Sequence, residues 1–135
     1  MTKTVNSIVL KEGRVLLTKR NHQWEFPGRE LKENEEALKV AHDNIKNIFP
    51  NVEITDLVYY GLFKDYSGDH GKKVKIESYI VELNNVDAFP EEDMLNYRYS
   101  PLVTIPNLNM SSLNSEIMVS LAKKGYLALI DWRVL

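Results

Sequence analysis

Not one of the 135 residues is cysteine, so disulfides, thiolate metal sites and cysteine nucleophiles are all excluded. A chain without thiols fits a reducing compartment. No segment approaches the roughly 20 apolar residues of a membrane span, and the start MTKTVNSIVL is too polar for a signal peptide. The expected location is the cytoplasm, with no membrane partner. Neither sign of charge dominates: 17 Lys and Arg face 19 Asp and Glu, for a net charge of −2. No broad basic field exists to gather phosphates over a wide surface, which argues against general coating of nucleic acid.

What is present is enough for a core. With 44% hydrophobic against 27% charged residues and a mean hydropathy of −0.32, the chain belongs among globular proteins rather than disordered tails. Its length is that of one domain, and no repeat or low-complexity tract divides residues 1–135.

Local pattern predicts the elements. Val5 to Lys11 and Arg14 to Arg20 flank Glu12-Gly13 and read as a hairpin. Asn21 to Asn34 reads as a loop carrying Trp24-Glu25-Phe26-Pro27-Gly28. From Glu35 to Phe49, Leu38, Ala41, Ile45 and Ile48 recur at steps of three and four, which predicts an amphipathic helix capped by Asn34 and stopped by Pro50. Val52 to Lys64 and Val74 to Leu83 read as a long antiparallel pair, and Tyr97 to Thr104 as a short strand. Ser111 or Ser112 caps a second helix running to Lys124, with Leu113, Ile117, Val119 and Leu121 facing inward and Gly125 ending it. The apolar tail from Tyr126 to Leu135 is expected to pair as a last strand. Such an order makes an α+β or layered α/β/α domain.

The run Val15-Leu16-Leu17-Thr18-Lys19-Arg20, then Trp24-Glu25-Phe26-Pro27-Gly28 and a helix, resembles the entry to the Nudix (MutT-like) domain. That family's signature, G-x5-E-x7-R-E-U-x-E-E-x-G-U with U bulky and apolar, lies on this chain without a gap. Arg29 falls on the first glycine, Glu35 on the first glutamate, Asp43-Asn44 on Arg-Glu, Ile45 on U, Asn47-Ile48 on Glu-Glu and Pro50 on the second glycine. The resemblance implies an α/β/α sandwich with a mixed β-sheet. It also implies chemistry in which Mg²⁺ or Mn²⁺ clamps a nucleoside diphosphate derivative and activates water.

Three carboxylates at i, i+3 and i+4 would share one helical flank, but those places hold Asn44, Asn47 and Ile48. An amide oxygen ligates a hard cation without bringing charge, and isoleucine brings no donor. One carboxylate against a unit charge at 4 Å is worth roughly 4 kcal/mol at an effective dielectric of about 20. The expected function is therefore a catalytically degenerate Nudix domain that binds a nucleotide, a nucleoside diphosphate derivative or a protein partner without efficient hydrolysis. Mg²⁺ or Mn²⁺ is implied only by the alternative, an active pyrophosphohydrolase with substitute ligands drawn from Asp43, Asn44, Asn47 and loop acids. A third reading, an RNA-binding module of the same fold, is disfavoured by the net charge, although a local patch at Lys72, Lys73 and Lys75 could serve it.

Other candidates each have a plain structural explanation. Lys19, Arg20 and Arg29 suit diphosphate contact or an ordinary surface. Trp24 and Phe26 suit base stacking, or pin a loop to the core. Glu35 suits the positive end of the helix dipole. Turn chemistry accounts for Asp65, Asp69 and His70, and a solvated strand face for Lys72, Lys73 and Lys75. Glu91, Glu92 and Asp93 are loop acids fixed by no motif, and His22 and His42 lack metal-ligand spacing.

Overall fold

The computed structural model describes residues 2–11, 13–65, 74–84, 97–100 and 110–126. Among these described residues, seven strands and two helices follow in the order β1 Thr2–Lys11, β2 Arg14–Arg20, β3 Gln23–Glu25, β4 Gly28–Glu30, α1 Ala37–Ile48, β5 Ile54–Asp65, β6 Val74–Leu83, β7 Tyr97–Ser100 and α2 Ser112–Lys123. The sheet is mixed. β1 runs parallel to β6 and antiparallel to β2 and β4, and β5 is antiparallel to β6 at the edge.

β1 is the spine because it is buried on both faces, and its alternation decides what each face meets. Ile8 joins Val15, Leu17, Phe26 and Ile76 beneath Leu113, Ile117, Met118 and Leu121 of α2. Val5 meets Val40 and Ala41 of α1, and Val9 packs with Ile45, Phe49 and Val81. One helix therefore covers each face, and the expected α/β/α sandwich is present.

The first hairpin, the β5–β6 pair and α2 stand where the pattern puts them, with Ser111 Oγ accepting from the Asn114 backbone N–H at 3.4 Å. Four expectations need correction. Residues 21–34 are not one loop, since β3 pairs with β2 and β4 with β1; Asn21 and His22, at φ 52° and 64°, form the tight turn between β2 and β3. Asn34 is not the helix cap: its φ is 69°, α1 starts at Ala37, and Glu36 at the N-cap makes no side-chain bond.

Leu38 is 42% exposed, because the buried stripe through Val40, Ala41 and Ile45 leaves it at the edge. On α2, Val119 is 45% exposed and Met118 is buried in its place, since a 3.6-residue period turns position 119 away from Leu113 and Ile117. Residues 101–104 and 127–135, where a longer seventh strand and a final strand were expected, lie outside the described residues.

Candidate functional site

The segment between β3 and α1 is held from both sides. On the α2 side, the Phe26 backbone N–H donates to Asn114 Oδ1 at 3.3 Å and Phe26 is buried in the core, which leaves its ring unavailable to a ligand. Beneath the segment, Ser7 N–H donates to the Pro27 carbonyl at 2.8 Å, and β4 pairs Gly28 with Asn6 and Arg29 with Val5. This pairing fixes Arg29 on the α1 face of the sheet.

There Arg29 closes on Glu35. Its Nη1 and Nη2 donate to Oε1 and Oε2 at 2.9 and 2.6 Å, and the Lys32 N–H donates to Oε1 at 2.8 Å. Glu35 therefore does not sit in the helix's first turn serving the dipole. It precedes α1 and ties the loop to β4. The hydrogen bonds from Arg29 and then from the Lys32 backbone hold its carboxyl at about 2, down from an ordinary 4.5. Arg29 is pushed up in turn, chiefly by its bond to Glu35, and also feels the charge of Asp43 on α1.

Because the folded value of Glu35 lies below the unfolded one, its contribution to stability is complete above about pH 4.5 and disappears as pH falls toward 2. The stability gap between the parent and Glu35→Gln is accordingly expected to narrow over that window. Denaturant titrations at about pH 5 and about pH 2.5 measure it, and a gap independent of pH would contradict the clamp.

On α1 the positions of interest share one flank but not one environment. Asn44 is half-buried with its Oδ1 unpartnered, Asn47 is exposed, and Ile48 packs against the cluster of Ile45, Phe49 and Val81. Asp43 is exposed, with its Oδ1 3.2 Å from His42 Nδ1. Lys46 turns to the helix end and donates to the carbonyls of Val52 at 2.7 Å and Pro50 at 3.3 Å. Among the described residues, no group of three or more His, Asp or Glu could hold a metal ion.

Among the described residues, Lys19 and Arg20 do not converge on Arg29. Lys19 lies opposite Trp24 in the β2–β3 ladder with its Nζ 6.0 Å from the ring centroid, and Arg98 of β7 approaches the same ring at 5.6 Å. Trp24 is partly buried against the α2-side core, so one indole is both packed and cation-bearing. Arg20 points to the other face and pairs with Glu25 at 2.9 Å; burial raises the Glu25 pKa, which Arg20 partly offsets. Arg98 was invisible in the sequence, since only the β2–β7 pairing brings it to Trp24. Asp69, His70, Lys72, Lys73, Glu91, Glu92 and Asp93 lie outside the described residues.

No protein-family model matches this sequence, and no curated protein sequence matches it. Solved structures do match. A MutT protein from Bacillus halodurans superposes with a TM-score of 0.70 at 16% identity, over 94% of this chain and 86% of that one. A NUDIX hydrolase from Nitrosomonas europaea gives 0.69 at 11%, over 99% and 95%. A mutT/nudix family protein from Listeria innocua gives 0.66 at 18%, over 91% and 92%. Identities this low speak to architecture alone. Together with the α1–sheet–α2 layering and the Trp24-to-Gly28 segment held between β3 and β4, they make this chain a Nudix-fold protein.

Proposed function

We propose that this domain binds a nucleotide or nucleoside diphosphate derivative without hydrolysing it efficiently. The observation that carries the reading is the state of the charges around α1. Asn44, Asn47 and Ile48 supply no carboxylate, and Glu35 is already engaged by the Arg29 guanidinium, which also feels Asp43. Among the described residues, Arg29 thus stands as a built-in cation beside the acids next to α1. A divalent metal would have to displace it and would find amide oxygens in return. That donor set fits a hard divalent cation poorly. Nucleotide binding is supported separately by Trp24, a partly exposed ring flanked by Lys19 and Arg98, which suits a base beside anionic groups.

The test is a panel of nucleoside diphosphate derivatives, assayed for binding by calorimetry and for turnover with Mg²⁺ or Mn²⁺. Binding is expected for at least one member, weakened by Trp24→Ala. Turnover is expected to stay at least 10³-fold below that of a competent enzyme, roughly 4 kcal/mol of barrier. Metal-dependent kcat of about 1 s⁻¹ or more would overturn the reading and place Asp43 among the metal ligands.

A further inference from the structure

Beyond the helix end, on the face of the sheet that α1 covers, three lysines stand side by side. Lys3 of β1 is the register partner of Lys75 of β6, and Lys75 is the register partner of Lys64 of β5. All three point to the α1 side. Lys3 alternates with Val5, which packs under Val40, and Lys75 and Lys64 flank residues 76 and 63, whose side chains enter the α2-side core. Like charges directly opposite in a sheet are destabilising, and this row sets two such pairs in succession. Among the described residues, Lys3 alone of the three is compensated, by Glu77 at 3.1 Å, while Glu77 also accepts from the Tyr79 hydroxyl. No ion pair among the described residues engages Lys64 or Lys75.

Two rows along the same face, Tyr59 of β5 is 54% exposed, its ring in edge contact with Tyr79 at 5.7 Å, and Leu62 between them is 39% exposed. An unfavourable arrangement kept where Lys64 is exposed and Lys3 and Lys75 are partly so, with an exposed aromatic ring beside it, asks for a ligand that relieves the repulsion.

We propose that Lys3, Lys75 and Lys64, with Tyr59, form a binding surface for single-stranded nucleic acid. Neighbouring strands are about 4.8 Å apart, so the row runs about 10 Å, the reach of about three consecutive backbone phosphates. Lysine meets a phosphate as a point charge and needs no fixed angle, and an exposed tyrosine offers a stacking face to any base. A strand can thread the corner between the sheet and α1. A bilayer is flat, and a helix about 10 to 12 Å thick stands beside the row, holding a membrane surface off. The net charge of −2 is no obstacle, because screening at physiological salt confines the attraction to about 8 Å from the row.

The experiment is fluorescence anisotropy of the full chain with a labelled single-stranded oligonucleotide of about ten nucleotides, over a salt series. Three lysine contacts predict a slope of log affinity against log salt of about −2, reduced in magnitude by about 0.7 for each lysine removed. Lys64→Gln with Lys75→Gln is expected to weaken binding about tenfold or more, and Tyr59→Ala by about tenfold. Glu77→Gln, which frees Lys3, should strengthen binding, and Lys39→Gln, an exposed charge on α1, should change it little. Because the lysine pairs repel, the double variant should melt no lower than the parent. Several outcomes would overturn the proposal: no oligonucleotide binding, equal loss from Lys39→Gln, a double variant that melts lower, or inorganic polyphosphate bound as tightly as the oligonucleotide with Tyr59→Ala silent. Lysine-dependent capture of phosphatidylserine vesicles without oligonucleotide binding would do so as well.

Discussion

Glutamate at positions 44 and 47 is expected to give this fold a response to metal that the parent lacks. The two asparagines lie at i and i+3 on the flank of α1 next to Asp43, so Asn44→Glu with Asn47→Glu gathers three carboxylates in one place. Without a cation they repel one another, and the variant should melt below the parent in chelator. Saturating Mg²⁺ or Mn²⁺ should restore it. At a hundredfold excess over the dissociation constant, linkage supplies about 2.7 kcal/mol, roughly 10 °C for a chain of this length.

Ile48 is better left in place. It packs on Ile45, Phe49 and Val81, and Ile48→Glu would add a core penalty that obscures the metal effect. Arg29 will compete for the new carboxylates, so adding Arg29→Gly should enlarge the metal-dependent shift, while losing the Glu35 clamp lowers the starting melting temperature. Thermal melts across a metal titration decide the matter. A variant that folds but shows no more metal response than the parent would mean that positions 43, 44 and 47 do not converge.

The second large effect is expected from a single methyl group. A Cβ built on Gly28 would run into the carbonyl oxygen of Val5 and lie 2.7 Å from Asn6 Oδ1 and 3.1 Å from Asn6 Cα. The first and last of these are backbone atoms of the central strand, which cannot swing aside. Gly28→Ala should therefore push β4 off β1 and disturb the Ser7 N–H bond to Pro27, at a cost of about 3 kcal/mol, the upper range for overpacking. Gly61→Ala is the matched comparison. Its Cβ would meet only the ring edge of Phe63, at 3.4 Å, and it should cost less than about 1 kcal/mol. Denaturant unfolding of both variants measures the difference, and similar midpoints would show that the β1–β4 approach is not tight. The glycine of Trp-x-Phe-Pro-Gly is thus needed for closeness between strands, since its φ is not in the left-handed region.

Periodicity alone located the two helices, the first hairpin and the β5–β6 pair, because each is specified by neighbours within one or two turns or by a short ladder. The layering followed from the order of those elements, and the likeness of residues 15–28 to the Nudix entry named the fold correctly. What it could not locate depends on long-range pairing. β3 and β4 are three residues each and carry no period, so they existed only once β2 and β1 offered them edges.

The same reason governs the charged groups. Read along the chain, Glu35 was a helix-dipole residue, Arg29 a surface cation and Lys75 part of a local run. The strand register set Arg29 across from Val5, where it could reach Glu35, and set Lys75 between Lys3 and Lys64, residues 72 and 11 positions away. The sequence by itself determined which side chains α1 offers at the box positions, and so that no carboxylate stands at 44, 47 or 48. Tertiary structure alone decided which charges face one another, because electrostatic partners are chosen by distance in space and β pairing sets that distance without regard to separation along the chain.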